Sequence, residues 1–203
     1  MFESLGHDCE VGLLQRRFGA EPLGLFRWGG THIVRLIEAL DNNFSGLGDE
    51  QYNSIVSISG LYYLEERRYG LSRHAHVRVD SGANVEELLK RQLEQTTLYL
   101  RFFRETLDDG LKVFAYKDLD NADPVVIVDL GRALRRHGPA DLVVVHQHLR
   151  QGDAAEVERL NEHTWLARLD HFGGRPDRWD IAFDQWLFIM RAVLSQRLKP
   201  FTP

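Results

Sequence analysis

The residues with the clearest chemical potential stand at the start of the chain, in Ser4-Leu5-Gly6-His7-Asp8-Cys9-Glu10, which holds the only cysteine among 203 residues. A glycine and two polar residues precede Cys9. Apolar positions at Val11, Leu14 and Phe18, with Leu13 beside them, begin a helical pattern at it. Asp8 reads as the N-cap, Cys9 as a first-turn residue and Gly19 as the stop. That position suits a nucleophile. The N–H groups and dipole of a helix N-terminus stabilise a thiolate, and the same N–H groups can hold the oxyanion of an acyl intermediate. An imidazole must then take the thiol proton and return it to the leaving group. Without such a partner a lone cysteine is a small buried hydrophobe. Asp8 and Glu10 read as caps of this helix.

The rest of the chain must therefore bring a histidine to Cys9. Residues 21–30 form a glycine-punctuated connector that carries Phe26 and Trp28 inward, and a helix over 31–40 buries Ile33, Leu36, Ile37 and Leu40. Residues 42–53 read as loop. Strands are expected over 54–58 and 61–64, joined at Ser59-Gly60. A further strand over 73–79 puts His74, His76 and Arg78 on one side. The longest helix spans about 84–107, striped by Leu88, Leu100, Phe103 and Leu107 and ended by Asp108-Asp109-Gly110. A strand over 112–116 follows, then a helix to 136 with Pro124 in its first turn. Residues 142–145 read as a buried strand, 156–163 as a short helix, 165–169 as a strand and 180–198 as a closing amphipathic helix. This order predicts a single domain over 1–203 of α/β (or α+β) class, with a central mixed sheet flanked by helices.

The segment Ser4-Leu5-Gly6-x-x-Cys9-Glu10, followed by Gln15-Arg16-Arg17-Phe18-Gly19-Ala20-Glu21-Pro22-Leu23-Gly24-Leu25-Phe26-Arg27-Trp28, resembles the opening of a bacterial family of uncharacterised domains described as papain-like cysteine peptidases. Members open on Ser-Leu-Gly-x-x-Cys and carry an aromatic segment of the Phe-Asp-Trp kind. Phe26-Arg27-Trp28 stands in that place, with Arg for Asp. Tyr69-Gly70-Leu71-Ser72-Arg73-His74, Arg101-Phe102-Phe103 and Lys112-Val113-Phe114-Ala115-Tyr116-Lys117 are similar to later family segments. The likeness spans roughly residues 4–118 and is specific at the first segment. It implies a papain-like layered fold with Cys9 as nucleophile and His74 as base, His76 being the alternate because it projects from the same strand face. Papain-like sites orient the imidazole with an Asn or Asp, for which Asp118 at the end of the next strand and Asp80 are the candidates.

Other chemistries are less well supported. His74/His76 and His146/His148 each place two imidazoles on one strand face, a chelating arrangement. No acidic ligand spacing reinforces these pairs, and nine histidines make chance pairs common, so neither a metal nor a cofactor is expected. Arg67-Arg68, Arg73, Arg78 and Arg135-Arg136 are interleaved with acids, and the net charge is −5, which argues against a nucleic-acid partner. No phosphate-binding glycine motif occurs. Trp165, Trp179 and Trp186 read as packing groups. No apolar run reaches the roughly 20 residues of a membrane span, the first residues lack the pattern of a signal peptide, and one cysteine suits a reducing compartment. A cytoplasmic protein without a membrane partner is expected. The expected reaction is cysteine-dependent acyl transfer, by hydrolysis of a peptide or other acyl substrate or by transfer to another acceptor. The alternatives are a non-catalytic binding or assembly module, tied by analogy to polysaccharide or cell-surface pathways, and a metal-dependent enzyme using the histidine pairs.

Overall fold

The computed structural model describes residues 2–147, 150–173 and 180–201. In chain order its elements are β1 (Phe2–Ser4), α1 (Glu10–Arg17), β2 (Gly29–Gly30), α2 (Ile33–Asp41), β3 (Asn53–Ile58), β4 (Leu61–Glu66), β5 (Leu71–Arg78), α3 (Val85–Asp109), β6 (Val113–Asp118), α4 (Pro124–Arg135), β7 (Asp141–Gln147), β8 (Glu156–Asn161), β9 (Thr164–Leu169) and α5 (Phe183–Arg197). The main sheet has the order β1-β6-β7-β9-β8; its first four strands run parallel and β8 returns antiparallel to β9. The second sheet, β2-β5-β4-β3, is antiparallel. The chain is thus a mixed α/β fold, with a mixed sheet between helices and a smaller sheet beside it.

The near-continuous apolar runs of β6 and β7 follow from burial on both faces of a mostly parallel sheet. Period-two alternation sorts their side chains into two cores. Phe114, Tyr116, Leu142 and Val144 join α2, α3 and α4, while Val113, Ala115, Val143 and Val145 join α1 and α5. The same alternation sends Lys117 to the α1/α5 side and Asp118 and His146 to the α2/α4 side. It decides what each of these charged groups can meet.

Several local expectations hold in detail. Asn84 Oδ1 accepts the N–H groups of Glu86 and Glu87 at the start of α3, and Gly110 closes that helix at φ 61°. Asp123 accepts the Val125 N–H at 2.8 Å, ahead of α4 with Pro124 in its first turn. Ser59 and Gly60 turn the β3–β4 hairpin at positive φ. One expectation is corrected: residues 156–161 form a strand, not a helix. Glu156 to Asn161 pair with Arg168 to Thr164 of β9, and the tight turn at Glu162-His163 leaves no room for a helix. Its charged residues blunt the sheet edge. Strands β1 and β2 are three and two residues long, too short for alternation to reveal. Among the described residues no helix is long and apolar enough to cross a membrane.

Candidate active site at the cysteine helix

After β1 the chain turns sharply through Gly6 at φ +92° and His7 at φ +78°. Ser4 Oγ accepts the Gly6 N–H at 3.2 Å and donates to the Phe26 carbonyl at 3.3 Å, tying the turn to the connector. Cys9 occupies the N-cap position of α1, and its carbonyl accepts the first helical N–H, that of Leu13, at 2.9 Å. Asp8 supplies the capping carboxylate from one residue earlier, accepting the Glu10 N–H at 2.8 Å. The 6–7 turn lies directly against β2. A Cβ on Gly30 would sit 2.3 Å from the His7 carbonyl carbon, and one on Gly6 would sit 2.7 Å from Gly30 Cα. Half-buried Cys9 opens into a cavity of about 350 Å³ that it shares with His7, Leu13, Trp28, Tyr63 and Gly173.

Beneath Cys9 lies a charged network that the sequence does not reveal, buried at Lys117 and Glu10 and reaching the cavity wall through Asp8 and Glu10. Lys117 and Glu10 have side chains 2% and 3% exposed and pair at 2.8 Å, and Lys117 also pairs with Asp8. The Lys117 ammonium stands 4.5 Å over the Phe172 ring. Glu10 further accepts the Trp186 indole N–H at 2.8 Å and the Gly173 N–H at 3.0 Å. Burial pushes the Glu10 carboxyl above the usual carboxylate range, opposed by Lys117 and Trp186. Glu10 is therefore more than a helix cap: its carboxylate ties α1 to β6 and α5. The available signal was a lysine continuing the buried Val-Phe-Ala-Tyr strand, because a charge at a core position requires a partner.

On the other side of Cys9, His7 Nδ1 lies 3.2 Å from the Tyr116 hydroxyl, and that hydroxyl donates to the Thr31 carbonyl at 2.9 Å. The Tyr116 hydrogen being so used, its oxygen accepts from His7. The neutral imidazole then carries its proton on Nδ1 and its lone pair on Nε2. Burial, reinforced by the adjacent His32, lowers the His7 pKa and favours this neutral form.

The residues expected at the site are distributed as follows. His74, on β5, lines a neighbouring cavity of about 370 Å³ with His76, Arg73 and Tyr99, and Trp28 lines both cavities. His74 Nδ1 accepts the His76 backbone N–H at 2.7 Å, so a neutral His74 carries its proton on Nε2. His76 is exposed at φ 57°, with its ring 4.4 Å from that of His74 and 5.6 Å from Trp28. Partial burial of the ring, with the charges of Arg16, Arg73 and Arg27, lowers its pKa. Asp118 is wholly buried at the end of β6. It accepts the N–H groups of Asp120 and Ala122 at 3.1 and 2.7 Å, and His146 Nε2 lies 2.9 Å away without a straight N–H alignment. Burial pushes its carboxyl up, but the His146 ring and the two backbone donors outweigh this and leave it below the usual range. Asp80 is exposed, paired with Arg78 at 2.8 Å, and lines neither cavity. His148 and Trp179 lie outside the described residues. Trp165 and Trp186 are buried packing groups as expected. Arg73 is no surface charge: it is buried against Gln92 of α3, and burial lowers its pKa to about 10. No protein-family model, no curated protein and no solved structure matches the chain.

Proposed function

We propose that this protein is a papain-like cysteine-dependent acyl hydrolase or acyltransferase acting on a peptide or other acyl substrate, with Cys9 as its nucleophile. The supporting observation is the placement of Cys9 at the N-terminus of α1, half-buried at the wall of a cavity it shares with an imidazole. In this reading the Cys9 thiolate attacks the substrate carbonyl carbon and forms the C–S bond. First-turn N–H groups of α1 stabilise the oxyanion. His7 Nε2 accepts the thiol proton and passes it to the leaving group as the acyl–enzyme forms. Water or another acceptor then cleaves the thioester and gives its proton to the same nitrogen. Tyr116 holds the ring in the required tautomer. His74 was the base implied by the family likeness. Its Nδ1 is engaged by the His76 N–H, and His7 shares the Cys9 cavity, so His7 is the base of this reading and His74 the second candidate. A thiolate nucleophile persists in a reducing compartment, so a cytoplasmic setting accompanies this reading.

Iodoacetamide labelling of Cys9 across pH tests the proposal. The wild-type chain should label with a midpoint well below the free-thiol pKa of about 8.5. His7→Asn, chosen because Asn tolerates positive φ, should move that midpoint upward, while His74→Ala should leave it in place. A wild-type midpoint near the free-thiol value defeats the nucleophile. A shift in His74→Ala and not in His7→Asn returns the base to His74.

A further inference from the structure

We infer that His7, His32 and Asp120 form a binding site for one divalent transition-metal ion of the zinc class. Three separate segments converge to build it: the β1–α1 turn, the residue before α2 and the β6–α4 loop. One ligand atom from each residue lies within 4.8 Å of the others. Two imidazoles and one carboxylate are the donor set of zinc sites that keep an open position, and also of mononuclear iron(II) sites. Metal–ligand bonds of about 2.0–2.2 Å place neighbouring donors about 3–3.5 Å apart. His32 Nδ1 and Asp120 Oδ2 already stand 3.0 Å apart, and modest rotation of exposed side chains brings in the third. The cluster lies beyond the C-terminal ends of parallel strands β1 and β6, where open α/β sheets hold ligands.

The surroundings orient these groups as metal ligands need to be oriented. Tyr116 engages His7 Nδ1 and leaves Nε2 as the donor atom, and the same hydroxyl is anchored on Thr31, the residue before His32. The backbone N–H of Asp120 is held by buried Asp118. His32 occupies the N-cap position of α2 but makes no capping bond, its ring being turned to Asp120 instead. Neither His32 nor Asp120 has a part in acyl transfer at Cys9, so this inference does not rest on that reading. A bound ion and proton transfer through His7 draw on one lone pair and exclude one another.

The test is calorimetric titration of zinc into the metal-free, tag-free full chain, with metal content measured after gel filtration. One ion per chain is expected. His32→Ala and Asp120→Ala should each weaken binding at least about tenfold, with circular dichroism confirming that both variants are folded. Cys9→Ser and the double variant His74→Ala/His76→Ala should bind as the wild type does. Absence of stoichiometric binding overturns the site, as does binding that survives His32→Ala and Asp120→Ala or is lost in the His74/His76 double variant. Cys9 labelling of metal-free protein reports separately on the nucleophile, so the two ideas can fail independently.

Discussion

The two flanks of Cys9 handle charge in opposite ways. On the α1/α5 flank, Lys117 and Glu10 are sealed, and Trp186, Gly173 and Asp8 complete their bonding. On the α2/α4 flank, His32 and Asp120 are 68% and 59% exposed and His7 is half-buried. One strand supports both. Lys117 of β6 reaches the sealed flank, whereas Tyr116 and Asp118, its neighbours in sequence, orient groups on the open one. The contrast shows which flank can be functional without being structural. Sealed charges must be paired or the fold pays heavily, so they hold the helix that presents Cys9. Exposed pairs contribute about 0–1 kcal/mol, which leaves the open flank able to rearrange around a ligand.

The largest effect expected from this contrast is on the sealed flank. Lys117→Ala leaves the Glu10 carboxylate buried without its cation and should destabilise the chain by about 3–5 kcal/mol, read by urea unfolding. The double variant Lys117→Met/Glu10→Gln removes the uncompensated charge and should recover much of that loss. A loss below about 1 kcal/mol in Lys117→Ala would mean that the network is not sealed. Gly30→Ala comes next. The added methyl meets His7 backbone atoms at 2.3–2.4 Å, so the 6–7 turn must shift, at about 1–3 kcal/mol. Cys9 labelling should change in the same variant although no site side chain is altered. Unchanged labelling would separate the turn from the cysteine.

What the sequence revealed follows from which signals are periodic. The long helix α3 and its Gly110 stop, the β3–β4 hairpin and the buried run of β7 all carry their pattern over several residues. The short strands β1 and β2 carry none, and β8 shows how charged residues on an edge strand imitate a polar helix face. At the site, Cys9 was legible from its glycine, its cap and the helical spacing after it. His7 was not singled out, because its role depends on Tyr116, which lies 109 positions away. The β1–β6 pairing brings His7 to Asp120, and His32 joins them through the packing of Gly30 on His7 and the Tyr116 bond to Thr31, none of which is written in the local sequence. Lys117 was the one group with a visible warning, a charge in an apolar strand, and its partner Glu10 was read only as a cap.

Asp118 gives a smaller, pH-dependent effect. Its folded pKa lies below the unfolded value of 3.8, so its stabilisation is complete above about pH 4 and is lost as pH falls through the folded value. Glu10 acts in the opposite sense. Its folded pKa lies above 4.5, so protonation in the folded state relieves a penalty as pH falls through that value toward the unfolded one. Urea midpoints of Asp118→Asn between pH 3 and 7 should decline less steeply below about pH 4 than those of the wild type. An equally steep decline in Asp118→Asn would show that Asp118 is not held ionised by the loop it organises.

The smallest effect is the one that most sharply defines the open flank. Removing an N-cap side chain ordinarily costs about 0.5–2 kcal/mol, but His32 makes no capping bond and its partner Asp120 is exposed. In metal-free protein, His32→Ala should therefore change stability by no more than about 0.5 kcal/mol, measured by the same urea titration as Lys117→Ala. With excess zinc the two proteins should diverge, because only the wild type gains stability from a ligand bound to its folded state. A loss above about 1 kcal/mol without metal would make His32 a structural residue, and the difference between the two flanks would then be one of degree.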